Sequence, residues 1–133
     1  MIKLLEKYSE VAWGFVFLIV IAIFYVSSLQ FPPGSGGFGW VTVAYHFLAF
    51  FCLAFFLLPA LVRGEGAGWV FFGVVLAVLY GVSDEVHQYF VPGRSMAFSD
   101  VMVDSAGVLF AGLIYVVILS FRKGSVGSKK KRP

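Results

Sequence analysis

The chain has 133 residues, of which 60% are hydrophobic, 19% aromatic and only 13% charged. That charged share is about half the soluble norm, and a single domain of this length has no way to hide so much Phe, Val and Leu, so a water-soluble globule is excluded in favour of an integral membrane protein. Net charge is +3, yet six of the ten basic residues sit in the tail RKGSVGSKKKRP; beside apolar spans, that tail reads as a topology signal or a contact with anionic headgroups, and no nucleic-acid partner is expected.

In chain order, the segment Met1–Glu10 comes first. Ile2, Leu5 and Tyr8 recur there at helical spacing, which predicts a short interfacial helix. Val11–Leu29 is the first apolar stretch. No Ala-x-Ala cleavage site follows it, so it is expected to be retained as an anchor. The run QFPPGSGGFG (30–39) then ends any helix, because paired prolines and repeated glycines cannot continue one. Trp40–Val62 is the second stretch, 23 residues with no ionisable acid or base except His46. It holds the single cysteine, Cys52, which can form no intrachain disulfide and is expected to be a small packing residue. RGEGAG (63–68) separates it from a third stretch, about Gly68 to Val82, which continues into the polar insert SDEVHQYFVPGRS (83–95). Within that insert Pro92–Gly93 fits a type II turn, and the proline pushes Val91 out of helical geometry. Val101–Phe121 is the fourth stretch, interrupted by Asp104. No internal repeat is visible.

Each stretch is long enough for a membrane-spanning helix of about 20 residues, whereas spanning strands are about half that length. Backbone groups cannot be left unpaired in lipid. The expected fold is therefore all-α: a polytopic four-helix transmembrane bundle over residues 1–123, followed by a basic, disordered tail over 124–133. Lys3 and Lys7, Arg63 and the tail all fall on one side of four spans, and the positive-inside rule makes that side cytoplasmic. Both termini then lie inside, and the polar insert faces outward.

This topology gives the insert its partners. His46 lies roughly two turns below the outer start of span two. Asp84, Glu85, His87 and Gln88 occupy the outer two turns of span three, and Asp100 and Asp104 the first two turns of span four. Ser27 and Ser28 end span one at the same level. Asp84 shares a helix face with His87 and Gln88, and the small residues Gly81, Ala77 and Gly73 extend that face inward. Asp100, Asp104, Gly107 and Ala111 form a similar stripe. Small residues at such spacing allow close helix approach, so the simplest arrangement packs the two stripes together with the acids between them.

Each residue has a plainer reading as well. Asp100 suits a helix N-terminus, Arg94 suits phosphate headgroups, and His87 suits water above the membrane. Ionisable groups within spans, such as His46 and Asp104, more often face a functional interior. Asp84, Glu85, Asp100 and Asp104 face one obligate cation, Arg94, so protons, charged histidines or a divalent cation must relieve the repulsion. His46, His87 and the acids could supply metal ligands, although no HExxH or CxxC spacing is present.

SDEVHQYFVPGRSMAFSDVMVDSAG, Ser83 to Gly107, resembles the signature of the VanZ-like family of small bacterial membrane proteins. The family's Asp-Glu pair, following Gln, Pro-Gly-Arg turn, Asp and Gly coincide with Asp84, Glu85, Gln88, Pro92, Gly93, Arg94, Asp100 and Gly107. YHFLAF (45–50) resembles its second-span signature at His46, and SSL after span one also fits. Where the family commonly has Asn, this chain has Asp104. A basic residue that often precedes the His region is absent from VTVAYH. Both departures make the site more negative. The family's namesake is associated with resistance to the lipoglycopeptide teicoplanin, so the resemblance implies a cell-envelope role.

Two classes of function follow. In the first, an envelope-lipid enzyme, Asp84, Glu85, His87 and Asp104 are the acid–base candidates. His46, Gln88, Arg94 and Asp100 hold the substrate, Arg94 through a phosphate or carboxylate. His46 or His87 carries the proton, with Asp84 or Asp104 orienting it. In the second, a lipid- or antibiotic-binding or transport module uses the same pocket without chemistry. A buried clasp that fixes helix register is the plainest alternative. The expected partners are membrane lipids and a lipid-linked precursor or lipoglycopeptide. No nucleophile motif occurs, and GSGG lacks the strand–loop–helix setting of a phosphate-binding loop.

Overall fold

The computed structural model describes residues 1–30 and 39–129, without the side chains of 123–129. Five helices follow one another: α1 (Ile2–Lys7), α2 (Ser9–Ser27), α3 (Trp40–Val62), α4 (Ala67–Tyr89) and α5 (Phe98–Lys129). Four segments are long and apolar enough to cross a membrane, namely Ser9–Ser27, Trp40–Val62, Ala67–Tyr89 and Phe98–Arg122. The protein is thus an all-α, multi-pass membrane protein. The 30–39 connection lies outside the described residues except at its two ends. Of the basic tail, the α5 backbone runs on through Lys129, and residues 130–133 lie outside the described chain.

Local chemistry sets the ends of these helices. The Ser28 hydroxyl donates to the Phe24 carbonyl at 2.7 Å as α2 finishes. α3 passes through Pro59 and stops at Arg63, which adopts a left-handed conformation (φ 49°), followed by Gly64 at φ 83°. Glycine carries such backbone at no steric cost, so it allows the chain to reverse within a few residues. After α4, the Arg94 amide donates to the Val91 carbonyl at 3.1 Å and Gly93 has φ 82°. That is the type II turn expected from Pro92–Gly93.

The helices run alternately up and down, with α3 central. Its closest neighbour is α5, and Gly107, having no side chain, permits that approach. A Cβ there would collide with the Phe47 carbonyl oxygen and come within 3.0 Å of the Phe51 nitrogen. Phe50, Leu53, Ala54 and Leu57 of α3 form the main core with Val16 and Ile23 of α2, Ala77 of α4, and Val108 and Ala111 of α5. The outward faces are apolar too: Phe17, Leu18 and Ile21 on α2, Phe71 and Leu79 on α4, and Leu109 and Leu113 on α5 are exposed. Large aliphatic and aromatic faces of this kind suit lipid, the solvent that spanning helices meet.

Three expectations are corrected. The stripes of α4 and α5 do not simply face each other. Gly107 meets α3, Gly73 lies against Leu58 and Leu61 of α3, and Gly81 lies between Phe50 of α3 and Asp104 of α5. α5 packs against both α3 and α4, so the two stripes meet at Gly81 and Asp104 while Gly73 and Gly107 are taken up by the central α3. Cys52 is exposed on the bundle surface rather than packed inside. α1 does form, but Ile2 and Leu5 are buried against the bundle while Tyr8 is exposed; two apolar anchors suffice to dock so short a helix.

At that same end, Arg122 Nη1 reaches the two Glu6 carboxylate oxygens at 2.7 and 3.0 Å, and the Tyr115 hydroxyl donates to Glu6 at 2.8 Å. This clamp joins α1 to α5, so both ends of the described chain sit at one end of the bundle. The polar residues of the 83–95 insert lie at the other.

Candidate functional site

The spacing of α4 builds the centre of the polar end. Asp84 and Gln88 are four residues apart and Glu85 and Gln88 three, so all three point from neighbouring faces of one helix. Gln88 Nε2 donates to Asp84 Oδ2 at 2.9 Å and to Glu85 Oε1 at 3.2 Å, bridging the two acids. Asp84 also accepts the Ser27 hydroxyl of α2 at 2.8 Å. Glu85 turns the other way and accepts the backbone amide of Ala97 at 3.0 Å, just before α5 begins.

A second pair crosses from α3 to α5. His46 lies six residues into α3 and Asp104 six residues into α5; the two helices are separated by one intervening span and so run in the same direction, which places both residues at one depth, about 9 Å below each start. His46 Nδ1 and Asp104 Oδ1 are 2.9 Å apart. His46 Nε2 lies 3.9 Å from Asp100 Oδ2. With Asp104 ionised, Nδ1 carries a proton and the carboxylate fixes the ring, leaving Nε2 turned toward Asp100 and the rim. A histidine oriented by a carboxylate in this way can move a proton.

His87 does not join this pair. It faces α2, with Nε2 at 3.0 Å from the Ser28 hydroxyl and its ring stacked on Phe24 at 4.7 Å between centroids. Arg94 reaches back over the end of α2, and its Nη2 donates to the Val26 carbonyl at 2.6 Å. The eight candidate residues therefore fall into two linked groups. One, on α2 and α4, contains Asp84 and His87. The other, on α3, α4 and α5, contains His46, Glu85, Asp100 and Asp104. Gln88 joins them, and Arg94 closes the rim above α2.

Burial separates core from rim. Glu85 is 0%, Asp104 1% and His46 2% exposed, and Asp84, Gln88 and Ser27 are also buried. His87, Arg94 and Asp100 are partly exposed. Buried carboxylates are costly unless paired or hydrogen-bonded. The hydrogen bonds above meet that cost for Asp84 and Glu85. Asp104 is different: its Oδ2 is buried and accepts no hydrogen bond among the described residues. One donor atom from each of His46, Glu85 and Asp104 lies within 4.8 Å of the others, so the three could hold a metal ion.

Two partners in this site escape sequence reasoning because they are backbone groups. The Ala97 amide and the Val26 carbonyl have no residue-type signature. The Glu6–Tyr115–Arg122 clamp at the far end was open to discovery through its side chains, since Tyr115 is the one hydroxyl-bearing ring in the fourth apolar stretch.

A family model described as VanZ/LLP1 matches residues 9–119, most of the chain and all of the residues in this polar end. No curated protein and no solved structure matches the chain.

Proposed function

The chain belongs to the VanZ/LLP1 family, and from that starting point we propose that it acts on an envelope lipid or lipid-linked head group at its polar end, on the outer face of the bacterial cell membrane. The observation that carries this reading is the enclosure of His46, Asp84, Glu85, Gln88 and Asp104 together, at one depth, by three helices. A clasp that merely fixes register needs matched pairs. Here acids outnumber cations, and Asp104 Oδ2 is left over. Such an excess is expected where stability is given up for function.

In this reading His46 is the proton carrier and Asp104 orients it. Glu85 and Asp100 supply further carboxylates beside the ring, Gln88 links Glu85 to Asp84, and Asp84 and His87 tie the group to α2. Arg94, held over the end of α2, meets the phosphate or carboxylate of the head group. A relation to teicoplanin resistance enters through the same site, as protection of an envelope lipid.

One observation favours a second reading, a binding or transport module without chemistry. An apolar groove of about 430 Å³ opens between α2 and α4, with Trp13, Val20, Leu53, Ala77 and Tyr80 among its walls. It has the character of an acyl-chain slot. The two readings part in a single experiment. Purified protein is incubated with a lipid extract of the host membrane, and the lipids are analysed by mass spectrometry. Chemistry predicts a lipid species that parent protein produces and folded His46→Gln does not. Co-purified lipid that is unchanged, and retained equally by both proteins, would favour the binding module and sink the enzyme.

A further inference from the structure

We propose that the polar end binds one divalent metal ion of the zinc or manganese type, held by His46, Glu85 and Asp104. The inference deepens the reading above, since it takes the polar end to be a working site, but it does not depend on the ligand being a lipid.

Four features point to a cation. The donors come from three different helices, α3, α4 and α5, and still converge: one atom from each of His46, Glu85 and Asp104 lies within 4.8 Å of the other two. All three residues are buried. Asp104, 1% exposed, keeps one oxygen, Oδ2, with no hydrogen-bond partner among the described residues. That oxygen faces Gly81, one turn of α4 before Glu85, where a Cβ would lie 3.5 Å from it. A buried carboxylate oxygen without a donor is a costly feature unless a cation or proton meets it.

The spacing fits as well. Donors at about 2.1 Å from a six-coordinate ion stand about 3 Å apart on a cis edge and about 4.2 Å apart across it. The His46 Nδ1–Asp104 Oδ1 separation of 2.9 Å, a hydrogen bond in the metal-free site, has the length of such a cis edge, so an ion could replace the Nδ1 proton between the two groups, with His46 then a ligand and no longer the proton carrier. One imidazole nitrogen among carboxylate oxygens favours zinc or manganese over magnesium or calcium, which prefer oxygen alone. With Nδ1 on the ion, Nε2 carries the proton, and Asp100, whose Oδ2 lies 3.9 Å from Nε2, stands behind the ring as an outer carboxylate that can orient it.

A metal also removes the electrostatic difficulty of the site. Asp84, Glu85, Asp100 and Asp104 would repel an anionic head group. A divalent ion among them offsets two negative charges and adds a positive centre to the site. When bound, it would polarise a phosphoryl or carbonyl oxygen.

The test uses the full chain in detergent micelles, purified through a tag that contains no histidine and stripped with chelator. Zn²⁺, Mn²⁺ and Mg²⁺ are then supplied separately by equilibrium dialysis, and bound metal is measured by mass spectrometry. We expect about one Zn²⁺ or Mn²⁺ per chain, a rise in melting temperature on binding, and uptake weakened roughly tenfold or more in folded His46→Gln and Glu85→Gln. Glu65→Gln, remote from the site, should bind as the parent does. Should the cluster variants fail to fold, a spectroscopic measurement decides. The chain has two histidines, so in His87→Gln only His46 remains. Pulsed electron paramagnetic resonance of bound Mn²⁺ in that variant should show coupling to an imidazole nitrogen. Absence of that coupling, binding unchanged in the folded cluster variants, or equal uptake of Mg²⁺ would overturn the proposal. Metal uptake without any lipid product or lipid retention would leave the ion in place and sink the lipid reading. Lipid turnover by stripped protein that takes up no metal would do the reverse.

Discussion

Glu85 is the most enclosed acid of the polar end, and its two oxygens divide their work. Oε2 accepts the Ala97 amide and Oε1 accepts Gln88 Nε2. Glutamine has the same shape and can keep the Ala97 bond through its carbonyl, while Gln88 gives up its longer bond to residue 85 and keeps the one to Asp84. Neutralising one of several crowded acids also lessens repulsion. Stripped of metal, Glu85→Gln is therefore expected to melt like the parent, or higher, in detergent, yet to lose the envelope phenotype in a complementation or susceptibility assay. Had the residue been half of a buried clasp, removing its charge would cost about 3–5 kcal/mol instead. A much lower melt, with activity reduced only in proportion to folded protein, would establish the clasp. Asp104→Asn should be the milder change, because an amide oxygen can still accept from His46 Nδ1 and still offers an oxygen donor.

Helix against helix, the close approach of α5 to α3 depends on Gly107. A Cβ at this position would strike backbone atoms of Phe47 and Phe51, which cannot rotate away as a side chain can. Gly107→Ala should force the helices apart, with a cost on the order of 1–3 kcal/mol or more and a clearly lower melting temperature. It should also widen the His46–Asp104 contact, which lies one turn away on the same interface. Gly14 of α2 has open space where its Cβ would be, so Gly14→Ala should leave the melt unchanged or raise it slightly, since alanine is the better helix former. Equal tolerance at both sites would mean that α3 and α5 do not pack as described. Gly81→Leu against Val78→Leu is a second comparison of the same kind. Gly81 is wedged between Phe50 and Asp104 and should tolerate the change less well.

For the molecule as a whole, the clamp of Glu6 with Tyr115 and Arg122 puts both ends of the described chain opposite the polar end. Lys3, Lys7, Arg63 and Arg122 lie at the clamp end. Positive residues stay on the cytoplasmic side, so the polar end is expected to face outward. Cysteine labelling checks this. In a Cys52→Ala background, Ser95→Cys should react with a membrane-impermeant thiol reagent in intact cells. Glu65→Cys should react only after the membrane is opened. Both positions are exposed, so access from the aqueous side is the variable being read. The reverse pattern would place the polar end in the cytoplasm and end its assignment to the outer face.

Sequence alone determined the four spans, because hydrophobic length is a property of a local stretch and needs no partner. It determined the Val91–Arg94 turn, since Pro fixes one dihedral angle and Gly permits the next. It also determined that His46, Glu85 and Asp104 share a depth, because an up-and-down bundle with a fixed rise per residue converts position in a helix into height. Rotation about each helix axis was not determined in this way. Helices apolar on every side carry little record of which face turns inward, so the sequence left either histidine free to pair with either of Asp84 and Asp104. Tertiary packing decided it: Gly107 draws α5 onto α3 and brings Asp104 to His46, while α2 takes His87 through Ser28 and Phe24. Packing also brought the Ala97 amide to Glu85 and the Val26 carbonyl to Arg94. Those partners are backbone atoms, which every residue type possesses and which only the folded chain can place.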